Sequence, residues 1–191
     1  MIKSVKIITK NYADTFNQYT SEFNKQKKCV DDNYQGALWA ENIGKCKEEY
    51  YSQIEKIRLA AQQKVKTIFE DAEIMIKSKV TDEIPQNAIN QIQILENSNP
   101  TTKEMEIFLQ KYRKNYLICR RLKTIAEQRK INIDIVTIED LIDSLKDLEQ
   151  QIMEFFKIYN GPMKSYKAEL ILNGAIIDRV DNSLDLFFQE S

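Results

Sequence analysis

The segment from about Ala37 to Val80 contains no proline and repeats its apolar residues every 11 positions. Three parallel series share this spacing: Trp39, Tyr50, Ala61 and Ala72; Ile43, Ile54, Val65 and Ile76; and Cys46, Ile57 and Ile68. A period of 11 residues corresponds to about 3.67 residues per turn, which predicts an α-helix with one apolar stripe and favours a nearly straight or slightly right-handed coiled coil over a heptad supercoil. At ~1.5 Å per residue this helix is about 65 Å long, well beyond the ~26 Å diameter of a compact domain of about 100 residues. The stripe therefore needs a partner helix to cover it.

The preceding segment supplies such a helix. Its apolar residues recur at helical spacing before the turn-forming stretch DDNYQG at 31–36. Folded back antiparallel, it covers about two-thirds of the long helix, and the remainder requires another chain or the C-terminal half. We therefore predict that the stripe also mediates oligomerisation, through Trp39, Ile43, Tyr50, Ile54, Ile57, Val65 and Ile68.

Residues that break helices are scarce, since the chain has 4 Gly and 3 Pro among 191 residues. This scarcity, together with abundant Lys, Glu, Gln and Leu, favours long helices. We expect an all-α, elongated fold. Residues 1–83 are predicted to form a long antiparallel helical hairpin, coiled-coil-like with the 11-residue period, and residues 84–191 a smaller helical head.

Two helix starts in the predicted head are visible in the sequence. Thr101 and Glu104 match a capping box, in which the hydroxyl accepts a backbone N–H and the carboxylate reaches back. Thr137 and Asp140 resemble a second cap, followed by an amphipathic helix that Gly161-Pro162 would end.

The tail, 163–191, is compatible with two structures. Asn173-Gly174 between apolar runs is a strong signal of a β-hairpin. The apolar residues around it nevertheless keep helical spacing, which we favour: Tyr166, Leu170, Ile177, Val180, Leu184 and Phe187.

The chain lacks the residues of most catalytic sites. It has no histidine, which excludes Ser-His-Asp triads, Cys-His pairs and HExxH zinc sites. Its 4 glycines match no motif of a phosphate-binding loop. Its 3 cysteines are odd in number and lack CxxC spacing, so they indicate neither a set of disulfides nor a zinc site. We therefore expect no enzyme, metal or cofactor. No stretch approaches ~18 continuous apolar residues and no signal-peptide run is present, so we expect a cytoplasmic protein without membrane contact.

The segment KYRKNYLICRRLKTIAEQRK, 111–130, is rich in cations and allows two interpretations. One is a helix that contacts nucleic-acid phosphates, and the other is a solvated or partner-facing helix surface. The second is favoured, because Glu127 lies among the cations and the net charge of the whole chain is −1. The residues that would contact phosphates or a protein partner are Lys111, Arg113, Lys114, Arg120, Arg121, Lys123 and Lys130.

Residues 94–131 carry a family resemblance. Leu95 stands before a polar gap, and a Thr-Thr-x-Glu cap follows at 101–104. The pairs Lys111-Tyr112 and Asn115-Tyr116 come next, and then Arg120 or Arg121 with Leu122. This stretch resembles uncharacterised helical proteins encoded near head-assembly genes of tailed phages that infect low-GC Gram-positive bacteria. The resemblance implies a phage assembly or virion-associated role, scaffold-like, in the host-cell cytoplasm, and it transfers no catalytic residue.

The sequence thus favours a non-enzymatic protein that acts by protein–protein association and forms a homo-oligomer. The partner would be a second copy, a phage protein or a host protein. Two alternatives remain open: an inhibitor that binds a host enzyme, and a nucleic-acid-binding protein that uses residues 111–130.

Overall fold

The structure is a computed structural model that describes residues 2–78, 80, 83–159 and 166–188. These residues form eight α-helices and no β-strand, which confirms the all-α prediction. In chain order the helices are α1 (Ser4–Asn33), α2 (Gly36–Ser78), α3 (Gln86–Asn97), α4 (Thr102–Tyr112), α5 (Tyr116–Arg129), α6 (Ile138–Ile158), α7 (Tyr166–Leu172) and α8 (Ala175–Phe188).

Side-chain caps start α4 and α6 at the predicted places. The Thr101 hydroxyl accepts the Glu104 backbone N–H at 3.3 Å, and the Thr101 backbone N–H donates to Glu104 Oε2 at 2.7 Å. Thr137 and Asp140 repeat this geometry at 3.3 Å and 2.9 Å. These bonds satisfy backbone donors that the first turn of a helix leaves without partners. Both predicted caps are confirmed.

Asn173-Gly174 forms a turn between two helices, so the β-hairpin alternative is wrong and the helical prediction is confirmed for 166–188. Gly174 has φ 76° and donates its backbone N–H to the Ile171 carbonyl at 3.0 Å. Glycine adopts this left-handed conformation without the steric cost of a Cβ, which suits it to the end of a helix as well as to a hairpin. The predicted stop at Gly161-Pro162 lies outside the described residues.

The chain divides into two compact units, one containing residues 1–70 and 147–179 and the other containing 71–146 and 180–191. Each unit contains residues from both sides of the predicted boundary at 83/84. The divisions between the units fall inside α2, α6 and α8, so each of these helices contributes residues to both units. The division into an elongated hairpin and a head stays a prediction.

An aromatic cluster forms part of the core of the first unit. Tyr12 packs edge-to-face on Phe156 with ring centroids 4.8 Å apart, and the Tyr12 hydroxyl donates to the Phe156 carbonyl at 3.0 Å. Phe16 and Tyr159 are edge-to-face at 5.1 Å. All four residues are buried. Such ring pairs contribute about 0.5–1.5 kcal/mol each beyond the burial of their area.

α1 and the first part of α2 are also in contact within the first unit. Phe23 stacks on Tyr50 at 4.7 Å, and the Trp39 indole N–H donates to Asp31 at 2.8 Å. Positions 23 and 31 on α1 thus match positions 50 and 39 on α2, which is the order of an antiparallel pair.

The second unit has a core built from α3, α4, α5 and the segment that follows α5. α5 contacts both α3 and α4. The predicted apolar face of α5 is confirmed, since Ile118, Leu122, Ile125 and Ala126 are all buried. This packing leaves the opposite face of α5 and one face each of α3 and α4 open to solvent.

Candidate protein interaction surface

The predicted oligomerisation stripe on α2 is in large part a packing surface. Ile43 and Val65 are buried, at 5% and 0% exposure, and Trp39 is exposed. The other stripe residues are half-buried: Tyr50, Ile54, Ile57 and Ile68. Part of the stripe is therefore buried within the chain itself. Oligomerisation through the remaining stripe residues stays a prediction.

Two cations of the basic segment are paired with carboxylates of the same unit. Arg121 forms an ion pair with Glu96 of α3, and this hydrogen bond lowers the pKa of Glu96. Lys123 Nζ donates to both Asp140 oxygens, at 3.0 and 2.9 Å. Such pairing reduces the local positive charge that would attract phosphates.

The other predicted contacts are spread over several places. Lys111 Nζ lies 5.0 Å from the centroid of the Tyr112 ring, and Arg120 donates to the Tyr116 hydroxyl at 3.3 Å. Lys130 is exposed and ends α5 with φ 56°. Arg113 and Lys114 lie half-buried in the turn between α4 and α5. These positions do not gather the seven cations on one open face, and their binding of nucleic acid or protein stays a prediction.

A cleft of about 380 Å³ lies beside the Lys123–Asp140 pair, between the end of α5 and the segment 131–136. Burial raises the pKa of Asp140, but hydrogen bonds from Lys123 and Thr137 outweigh it, so the pKa is lowered overall. The same pair raises the pKa of Lys123 through its hydrogen bond to Asp140. Both groups are therefore held charged and hydrogen-bonded, which makes them poor candidates for a general acid or base near neutral pH.

In the described part of the chain no metal centre is evident, and the buried Cys119 is not a reactive thiol. Its His, Cys, Asp and Glu side chains form no group of three or more that could hold a metal ion. Cys119 is buried, as predicted, and burial raises the pKa of its thiol to about 11. A thiol with this pKa is almost entirely protonated at neutral pH and is a poor nucleophile.

Within the described ranges, no helix has the length and apolar content needed to span a membrane.

An open apolar groove lies between α3 and α4, and we refer to it as the α3–α4 groove. It has a volume of about 320 Å³, and its lining is mostly apolar. Ile94, in the last turn of α3, is 65% exposed, and Ile107, in the middle of α4, is 59% exposed. The full lining is Gln91, Ile94, Leu95, Glu104, Ile107, Phe108 and Lys111.

The edge of the α3–α4 groove carries one charge of each sign. Glu104 Oε2 accepts hydrogen bonds from the backbone N–H and the hydroxyl of Thr101, at 2.7 and 2.8 Å. The backbone hydrogen bond from Thr101 lowers the pKa of Glu104, which keeps this carboxylate ionised and fixed in place. Lys111 is exposed two turns further along α4.

The sequence interpretation identified Lys111 as a possible contact but missed Ile94 and Ile107. The signal on α4 is present in the sequence, because Glu104, Ile107, Phe108 and Lys111 recur at the spacing of one helix face. Whether Ile107 is exposed depends on which side of α4 the core covers. The buried Met105 and Tyr112 lie on the covered side.

Comparisons with known proteins found no relative. No protein-family model matches the chain, and neither the curated proteins nor the solved structures provide a match.

Proposed function

We propose that this protein acts without catalysis, by binding another protein chain in the α3–α4 groove. The observation that supports this function is the exposure of Ile94 and Ile107, at 65% and 59%, which both line one apolar groove. Contiguous apolar surface with a polar edge is typical of sites that bind proteins. Burying one isoleucine side chain at an interface removes apolar area whose transfer from water is worth about 1.5–3 kcal/mol.

The resemblance of residues 94–131 to phage head-region proteins suggests the setting. That stretch includes most of the α3–α4 groove, and we propose that the binding serves phage assembly or a virion-associated, scaffold-like role. Inhibition of a host enzyme through the same groove would use the same chemistry. Nucleic-acid binding has less support, because Arg121 and Lys123 are engaged with carboxylates.

Site-specific photo-crosslinking tests the proposed function. A benzophenone amino acid replaces Ile94, and in a matched control it replaces Gln128, which is exposed on α5 outside the groove. Cells that make the protein are irradiated, and the adducts are analysed by mass spectrometry after nuclease treatment. We expect a protein adduct at Ile94 and none at Gln128. Adducts that are removed by nuclease, or no adduct at Ile94, would contradict the proposal.

A further inference from the structure

Three exposed α4 residues that line the α3–α4 groove form a symmetric pattern. Glu104, Ile107 and Lys111 are exposed on one helix face, with Ile107 in the centre and opposite charges at the two ends, whereas Phe108 lies beneath them in the core. Glu104 and Lys111 are seven positions apart, which corresponds to about 10.5 Å along the helix axis. They are too distant to pair with each other within one chain.

A second copy of α4, packed antiparallel across this face, completes the pattern. Reversing the helix places Glu104 opposite Lys111 of the second copy and Lys111 opposite Glu104 of the second copy. The two-fold axis then falls between positions 107 and 108, and the exposed Ile107 of each copy lies next to it. A two-fold interface requires one surface patch that is complementary to itself, and this arrangement provides it. A parallel arrangement would instead place Glu104 against Glu104, which is repulsive.

We propose that the protein forms a two-fold symmetric dimer through the α3–α4 groove, with α4 antiparallel to α4 and two Glu104–Lys111 ion pairs between the copies. This inference rests on the proposed function and names its partner as a second copy of the chain. Ile94 of α3 extends the apolar contact beside the helix pair. Glu104 is ordered in advance by its hydrogen bonds from Thr101, so its pairing costs little side-chain entropy.

Charge reversal on one helix face tests the pairing. In Lys111→Glu, both ion pairs become repulsive, and sedimentation equilibrium should show a dimer dissociation constant raised by at least about tenfold. The matched controls are Lys103→Glu and Glu106→Lys, which reverse charges on exposed positions of α4 outside the groove. These controls should dimerise like the wild type. Ile107→Asp, which places a charge at the centre, should be monomeric.

Complementation between variants separates this interface from a general effect of charge. Glu104→Lys alone should also weaken the dimer. An equimolar mixture of Glu104→Lys with Lys111→Glu should form a heterodimer, because both ion pairs are then attractive again. Glu104→Lys removes the carboxylate of the capping box, so circular dichroism must show that it is folded. If it is not, Glu104→Gln retains the capping geometry and should give partial recovery in the mixture.

Cysteine crosslinking tests the direction of the helices. With Cys29 and Cys46 replaced by serine, Glu104→Cys should crosslink to Lys111→Cys in a mixture, and neither should crosslink to itself. A wild-type protein that stays monomeric at all concentrations, or a Lys111→Glu variant that dimerises normally, would overturn the inference. A crosslink from Ile94 to a different protein would overturn the dimer and leave the proposed function standing, whereas no protein adduct would defeat both.

Discussion

Replacing Tyr12 by phenylalanine removes one hydroxyl from the aromatic cluster and leaves the ring in place. The hydroxyl donates to the Phe156 carbonyl at 3.0 Å, inside a buried environment. Loss of a hydrogen bond of this kind costs about 1 kcal/mol of the free energy of unfolding. Near pH 8, Tyr12→Phe should therefore be less stable than the wild type by about this amount.

The pH dependence of the same difference is the stronger test. Burial raises the pKa of Tyr12 to about 12 in the native state, against about 10 in the unfolded chain. A raised native pKa means that the stabilisation is complete below about pH 10 and is lost as the pH rises towards the native value. From these two pKa values, the wild type should lose about 1.4 kcal/mol by about pH 11, and Tyr12→Phe cannot lose it.

Urea unfolding of both proteins near pH 8 and pH 11 measures these differences. Other tyrosines and lysines titrate in the same range, but their contributions cancel when the variant is subtracted from the wild type. The gap of about 1 kcal/mol near pH 8 should close as the pH rises, and by about pH 11 the variant should be the more stable protein by roughly 0.4 kcal/mol. A gap that stays constant between the two pH values would refute the argument, because it would mean that Tyr12 ionises as easily in the native state as in the unfolded chain.

Three further predictions concern single sites. Cys29 is exposed and Cys119 is buried, so iodoacetamide at pH 8 should label Cys29 and spare Cys119 until the protein unfolds; mass spectrometry of peptides checks this. Asp140→Asn should lower the free energy of unfolding by about 0.5–1 kcal/mol at neutral pH. Because the native pKa of Asp140 is lowered, urea titrations should show the difference between wild type and variant shrinking as the pH falls below about 4. Gly174→Ala should cost about 1–2 kcal/mol in thermal unfolding, because its φ is 76° and the new Cβ would meet the Lys6 side chain; an unchanged melting temperature would contradict this.

Local signals in the sequence predicted the helices well. The caps at Thr101 and Thr137 depend on residues three positions away, and the buried face of α5 follows from a helical period alone. Asn173-Gly174 shows the limit of this approach, because the turn was correctly located while its flanking elements were compatible with two structures. A left-handed glycine ends a helix as readily as it turns a hairpin.

The surface properties depended on residues that are distant in sequence. Arg121 pairs with a residue 25 positions away, and Lys123 with one 17 positions away, so the neutralisation of the basic segment could not be seen in it. On α3, Ile92 is buried while Ile94 is 65% exposed, although both are isoleucines in the same short helix. Ile92 lies on the face of α3 that packs in the core with α5, and Ile94 lies outside that face.

The most direct measurement is the mass of the adduct that a photo-crosslinker at Ile94 forms in cells, compared with the same probe at Gln128. Binding through the α3–α4 groove predicts a discrete protein adduct at Ile94 alone, and the antiparallel dimer predicts that its mass is twice that of the chain. An adduct that forms equally at both positions, or no protein adduct at Ile94, would contradict the assignment of the groove as the binding surface.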